Sequence, residues 1–585
     1  LKKIRGAEAF SFDTETTGLD KIQDTPIGIS FSFSDHSSFY IPLLDESLDD
    51  LTKEVVVAEL KKIFISPTQG KIAHNLKFDK QMLENIGVDV KTPYDDTMLM
   101  SFILDPTRSH SLDNLSLNHL GIKKIKLKEL LAQHKTKSML DIDLTLLTQY
   151  ACEDSLCCLK LYEKLKKELK AEGLFQLYDE IEKPFLSVLM SMEAKGILID
   201  VEGLNKFSVV LKERLDDLQK NIFEIAEEEF NINSPKQMQH ILFEKLKLHE
   251  ALNLKNLKKT KTGFSTDVSV LQRMSTHPLV QNILEYRTIT KLKTTYVDVL
   301  PVQVAPKTGR VHTSFHQTGT ETGRLSSSNP NLQNIPIRNP LGAKVRQAFI
   351  AKPDYKIISA DYSQVELRIM AHFAREETLQ KAFIEQKDIH RITASLVFSV
   401  DENEVTDEQR SQAKAINFGI LYGMGSRKLA QSTGFTLPEA KTFIESYFAR
   451  FPKIKDFIKK LEEEAEKEGY TQTITGRRRL LPGLKSESPR EQAAARNMAI
   501  NTPIQGSAAD LIKTAMINLQ KKLLAGRLRC DMLLQIHDEL VFECHKDDIV
   551  EAKNLIKGEM EGAWNLFVPI EVSFGEGNNW LEAHG

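Results

Sequence analysis

Residues 410–423 read RSQAKAINFGILYG, and within them Arg410, Lys414, Phe418 and Tyr422 recur every four positions. At 3.6 residues per turn these four form one helical stripe, two cations followed by two aromatic rings. Such a stripe suits a ligand with phosphates at one end and a flat base at the other, which is a nucleoside triphosphate. Ala413, Ile416 and Ile420 fall on the opposite face, so the helix is expected to pack on apolar residues behind and to turn its polar stripe to a cleft. Thr406-Asp407-Glu408-Gln409 predicts a capping box at its start, and Gly423 and Gly425 are expected to end it. Taken alone, the stripe also fits an amphipathic helix with solvated cations. The carboxylates elsewhere in the chain decide between the two.

Working outward, KIISADYSQVELRIMAH carries an apolar strand that ends at Asp361 and runs straight into a helix. In MLLQIHDELVFE, two apolar half-strands flank His537, Asp538 and Glu539, which puts Asp538 at the tip of a tight hairpin. Carboxylates fixed at strand ends can converge on two magnesium ions about 3.5–4 Å apart, the arrangement that activates an attacking hydroxyl and stabilises a leaving oxygen. A second acidic set lies near the N-terminus: Asp13 and Glu15 two apart on a strand, Asp79 after HNLKF, and Tyr150 and Asp154 four apart on a helix. Each spacing puts its pair on one face. Four carboxylates and a phenol suit a two-metal site that activates water, with Tyr150 orienting it, for hydrolysis of a phosphodiester.

The 585 residues exceed what one core holds, so about three to four compact units are expected. Hydrophobic residues make up 41% and charged residues 27%, an ordinary soluble composition, and no apolar run approaches the roughly 18 residues of a membrane span. The chain starts at Leu1 without a targeting pattern, and reads as a fragment of cytoplasmic origin. Five cysteines match no zinc module or disulfide framework, as expected of a reducing compartment. The net charge of −3 does not announce a nucleic-acid binder, but the clusters Lys123–Lys128, Lys255–Lys261 and Arg477–Arg479 offer weak support for phosphate contacts. Strand-like runs at 8–43 open an α/β region, charged helices dominate from 175 to 300, and a Ser234-Pro235-Lys236-Gln237 capping box starts one of them. The β-rich pieces near 350 and 540 are expected to meet in one sheet.

These motifs together resemble those of bacterial family A DNA polymerases, in the form of the large Klenow-type fragment, along essentially the whole chain. ADYSQVELRIMAH, RSQAKAINFGILYG and QIHDELVFE are similar to that family's motifs A, B and C, and TGTETGRLSSSNPNLQNIPIR resembles its template- and primer-gripping palm segment. The N-terminal acids resemble those of the family's proofreading 3′–5′ exonuclease. The resemblance implies an α/β and α+β multidomain chain: a ribonuclease-H-like exonuclease domain at 1–174, then a right hand with thumb at 175–307, palm at 308–375 and 491–585, and fingers at 376–490. It implies that Asp361 and Asp538 bind metal with Glu539 as a lesser contributor, and that Asp13, Glu15, Asp79 and Asp154 do so in the exonuclease. Two Mg2+ per site are implied, replaceable by Mn2+. Arg410, Lys414 and His390 would hold the triphosphate, Phe418 would pack on sugar and base, Tyr422 would guard the template position, and Glu366 would fill the space of a ribose 2′-hydroxyl. Gln364, Arg324, Arg338, Asn501, Gln505 and His537 match residues that touch primer, template or the new pair. Asn497 departs from the family's frequent arginine, which leaves a template contact there in doubt. The implied partners are primer-template DNA and deoxynucleoside triphosphates, with no membrane, for a monomer associated with the bacterial nucleoid. A single-subunit RNA polymerase and a catalytically silent DNA clamp are the rival readings. Glu366 and the two intact acid sets speak against them.

Overall fold

The computed structural model describes residues 2–44, 49–261, 263–337 and 339–584. Alternation in AFSFDTET makes β1, Ala9–Thr16, turn Phe10 and Phe12 to one face and Ser11, Asp13 and Glu15 to the other. β2, Pro26–Ser34, and β3, Ser37–Pro42, continue the sheet antiparallel, while β4, Gly70–Ala73, and β5, Tyr94–Asp96, add to its other side in parallel. The order β3-β2-β1-β4-β5 is the mixed sheet expected of a ribonuclease-H-like domain. On its apolar face Phe10, Phe12 and Phe31 gather around Phe64 of helix Asp50–Phe64, with ring centroids 4.8–6.0 Å from Phe64. Across the other face runs helix Leu144–Ala171, fastened to β1 where the Ser11 hydroxyl donates to the Ser155 carbonyl at 2.6 Å. The acids of β1 therefore lie under the helix that bears Tyr150 and Asp154.

A second sheet has the order β7-β8-β6-β9, with β6 Tyr355–Tyr362, β7 Cys530–Ile536, β8 Glu539–His545 and β9 Val572–Gly577. The pieces expected to meet do so, through β6 and the β7–β8 hairpin. The short strand Phe349–Ile350, by contrast, pairs with Leu198–Ile199. Ile536 opposes Glu539 in the hairpin, so His537 and Asp538 make a two-residue turn, with His537 at φ 56°.

The described chain divides into two compact units. The first comprises Leu1–Lys195, Ser314–Ser327 and Ser359–Phe574. It contains a buried polar knot. Glu182 is fully buried and accepts from Gln317, Arg477 and Lys513, and Arg477 also donates from Nε to Asp510 at 2.9 Å. Burial alone would raise the Glu182 carboxyl, but Lys513 and Arg477 hold it at about 2. Within the run Arg477–Arg479, Arg477 is buried in this knot, whereas Arg478 pairs with Glu172 and Arg479 with Glu321, both at 2.7 Å.

The second unit comprises Gly196–Thr313, Ser328–Ile358 and Gly575–Gly585. Helices Val201–Ala226 and Pro278–Leu292 supply much of its core, where Ile222, Met238, Leu271 and Ile283 cluster. The expected capping box at Ser234 forms only by half. Its hydroxyl accepts from Gln237 N at 3.4 Å, while the Gln237 side chain turns to the Asn231 amide at 2.6 Å. Among the described residues, no helix is long and apolar enough to cross a membrane.

Removing one partner from a buried ion cluster leaves the opposite charges uncompensated. Glu182→Gln should therefore cost about 3 kcal/mol of the first unit's stability, read as a lowered urea midpoint. A change below about 1 kcal/mol would mean that the knot is solvated in solution.

Candidate active sites

Helix Asp407–Leu421 forms with the expected capping box: Thr406 Oγ1 accepts from Gln409 N at 3.2 Å, and the Gln409 side chain accepts from Thr406 N at 2.9 Å. Ala413, Ile416 and Ile420 are buried. Arg410, Lys414, Phe418 and Tyr422 line a cleft of about 610 Å³. The helix ends one residue before Tyr422, which caps it, and Gly423 follows at φ +62° with its α-carbon facing the Asn497 side chain. The residue that departs from the family pattern therefore sits against the turn that follows the cleft helix.

Opposite the stripe, β6 and the β7–β8 turn deliver Asp361 and Asp538 to the same cleft. Tyr362 N donates to the Asp538 carbonyl at 3.2 Å, which sets the two acids at neighbouring strand ends. Burial raises the Asp538 carboxyl above its ordinary range, an unfavourable state that a bound cation would relieve. Glu539 is turned into the sheet, where its carboxylate accepts from Ser359 Oγ at 2.7 Å. Glu366 stands between the acids and the stripe. Arg324 donates to one of its oxygens and the Tyr422 hydroxyl to the other at 3.0 Å. Burial raises Glu366, and those two partners oppose the rise. Gln364 caps the Glu366 helix at φ 54°, and Gln364 and His537 also line the cleft. Asn501 donates to the Tyr422 carbonyl at 3.4 Å. Gln505 lies half-buried on the same long helix, Pro489–Ala525. Arg338 lies outside the described residues.

Two residues not singled out in the sequence order this wall. Asp388 caps helix Ile389–Phe398 by accepting from His390 N and Arg391 N, and also accepts from Arg410 Nε at 2.6 Å. Asn417 is buried, and its Nδ2 donates to His390 Nδ1 at 3.0 Å and to Thr393 Oγ1 at 3.1 Å. The Thr393 hydroxyl is itself spent on the Ile389 carbonyl at 2.7 Å, so the chain of donors runs toward the imidazole. His390 Nδ1 is then an acceptor, and Nε2 carries the proton. Burial holds His390 at about 4, Asp388 opposing and Lys414 and Arg410 adding to it, so the ring is neutral at pH 7.

In the N-terminal domain, Asp13, Glu15 and Asp154 each bring a carboxylate oxygen within 4.8 Å of the others. Asp79 is not in that group. It accepts from Thr14 N at 3.0 Å and from Thr14 Oγ1 at 2.6 Å. Burial, reinforced by the neighbouring acids, pushes Asp13 and Glu15 well above the carboxylate range. Burial likewise raises Asp79 to about 7 and Asp154 to about 6, in the latter case against Lys124. Glu15 Oε1 is buried and, among the described residues, lacks a hydrogen-bond donor. Massed oxygens of this kind fit a hard divalent cation. Tyr150 is half-buried beside them, with the Lys124 ammonium 5.9 Å from its ring centroid. Lys124 was legible only as part of a charge run, yet it is buried among the acids.

Residues 201–582 match the family model of DNA polymerase family A, and residues 1–170 match that of a 3′-5′ exonuclease. Over its whole length the chain is 40% identical to DNA polymerase I of Pseudomonas aeruginosa and 40% identical to that of Borreliella burgdorferi, covering 64% and 63% of them. It thus spans a little over three fifths of these relatives. The polymerase domain of Pol1 from M. smegmatis, solved in complex with DNA primer-template and dNTP, is 34% identical with a TM-score of 0.89, over 100% of this chain and 98% of that one.

The donor chain to His390 predicts a neutral Nε2–H imidazole from pH 5 to 9, visible in imidazole NMR of selectively labelled protein. In Asn417→Asp a carboxylate faces Nδ1, favours its proton, and should move the titration up to about 6.5 or above. A titration still near 4 in that variant would contradict the assigned donor direction.

Proposed function

The chain belongs to DNA polymerase family A, and we propose that it adds deoxynucleotides to a primer 3′-hydroxyl under the direction of a template and removes mispaired ends at its N-terminal acids. One observation carries the reading: the strand-end acids Asp361 and Asp538 face the Arg410–Lys414–Phe418–Tyr422 stripe across a single cleft. The relative solved with primer-template and dNTP supports it. In this reading residues 1–174 are the exonuclease, 175–307 the thumb, 308–375 and 491–585 the palm, and 376–490 the fingers. The chain works as a monomer on chromosomal DNA in the bacterial cytoplasm.

Arg410 and Lys414 bind the triphosphate, and the neutral His390 donates Nε2–H to one of its oxygens without adding a third charge. Arg410 reaches the ligand from its Asp388 pair, which fixes the direction of the guanidinium. Phe418 offers an apolar face to sugar and base, and Lys414 can pass a proton to the departing pyrophosphate. Glu366, held by Arg324 and Tyr422, fills the space that a 2′-hydroxyl needs, so a ribonucleotide meets a buried carboxylate. Asp361 and Asp538 would hold two Mg2+, which supply Lewis-acid activation of the 3′-hydroxyl and charge neutralisation at the phosphates. Positioning and electrostatics carry most of such a reaction. In the second site Asp13, Glu15, Asp154 and Asp79 would hold Mg2+, and Tyr150 would orient the attacking water.

Asp538→Ala should lower primer extension by roughly 10³-fold or more and leave primer shortening intact, and Asp13→Ala should do the reverse. Loss of both activities in either folded variant would overturn the two-site reading.

A further inference from the structure

Lys124 is 5% exposed, and its side chain has two acidic neighbours of different character. Its Nζ contacts Asp154 Oδ1, inside the acid group, and stands 3.4 Å from Asp113 Oδ1, whose side chain is 44% exposed. Burial works against the ammonium, but Asp154 and Asp113 keep it charged. The same charge is felt at Asp13 and Glu15, where it opposes the rise that burial causes.

We propose that Lys124 is a built-in counter-ion of the exonuclease acids, which shares the Asp154 carboxylate with a divalent cation and yields it by leaning onto Asp113. This rests on the reading of Asp13, Glu15 and Asp154 as a metal site. The physical argument is competition for one carboxylate. A cation held by those three acids draws on Asp154, and so does the ammonium that touches it. Two cations on one carboxylate repel, and the low local dielectric strengthens the repulsion. The Lys124 side chain is only 2% exposed, and the second acceptor stands 3.4 Å away. Asp113 thus receives the displaced ammonium and offsets its charge. Lys124 acts as a positioning residue that sets how tightly the acids take a cation, and it keeps four crowded carboxylates compatible with folding before a cation arrives.

Substitutions at Lys124 and at Asp113 should move cation binding in opposite directions. Mn2+ binding to the full chain would be followed by calorimetry, with Asp13→Ala as the baseline for all other Mn2+ sites. Lys124→Met should bind Mn2+ about tenfold tighter at the exonuclease site, and Asp113→Asn about threefold weaker. Thermal melting supplies a second readout: Lys124→Met should melt below wild type without Mn2+ and gain more from adding it. Unchanged or weaker binding in Lys124→Met, or unchanged or tighter binding in the surface variant Asp113→Asn, would overturn the role given to Lys124. Should wild type and Asp13→Ala bind Mn2+ alike, the reading of the acids as a metal site falls instead.

Discussion

Carboxylates held side by side away from water are the constraint on which the rest of this structure depends. Like charges in a low-dielectric setting repel strongly, so each acid must be carried by an element that cannot relax away. In the N-terminal domain that element is β1, pinned by Phe10 and Phe12 packing with Phe64 on its far face. Next to the cleft it is β6 and the β7–β8 hairpin, whose Ile357, Ile358, Leu540 and Val541 are fully buried. Deleting a ring such as Phe12 would act on the acids indirectly, by freeing the strand that aims them.

Protein cations and donors moderate the crowding. Arg324 and Tyr422 satisfy Glu366, Arg410 is matched by Asp388, and Lys124 leans on Asp154. Each pairing leaves one partner with a second task. Glu366 keeps a carboxylate in the cleft, Arg410 keeps a guanidinium lining it, and the acids around Lys124 remain open to a divalent ion. The Glu182 knot differs, because its two acids and two bases are fully buried and compensate one another. It holds the fold at the cleft's edge, where Lys513 also lines the cleft.

Much of this was legible in the sequence because it is local. The stripe, its buried back face and its capping box follow from helical period and a four-residue motif, and the Asp538 turn follows from apolar half-strands on either side. Long-range pairings were not legible. Asn417 meets His390 across 27 positions, Lys124 meets Asp154 across 30, and Arg477 meets Glu182 across 295. No periodicity encodes such distances, so Lys124 and Arg477 read as charged surface although both are buried. Asp79 shows the same limit within the acid set. Its place was visible, while the Thr14 amide and hydroxyl that engage it were not.

The central claim is that one chain carries two separately assembled acidic sites with opposed effects on a primer end. The most direct test follows a 5′-labelled primer on a longer DNA template with Mg2+, first without and then with the four deoxynucleoside triphosphates. The account predicts shortening in the first reaction and template-length extension in the second. A primer left unchanged in both, by protein that binds the DNA, would contradict it.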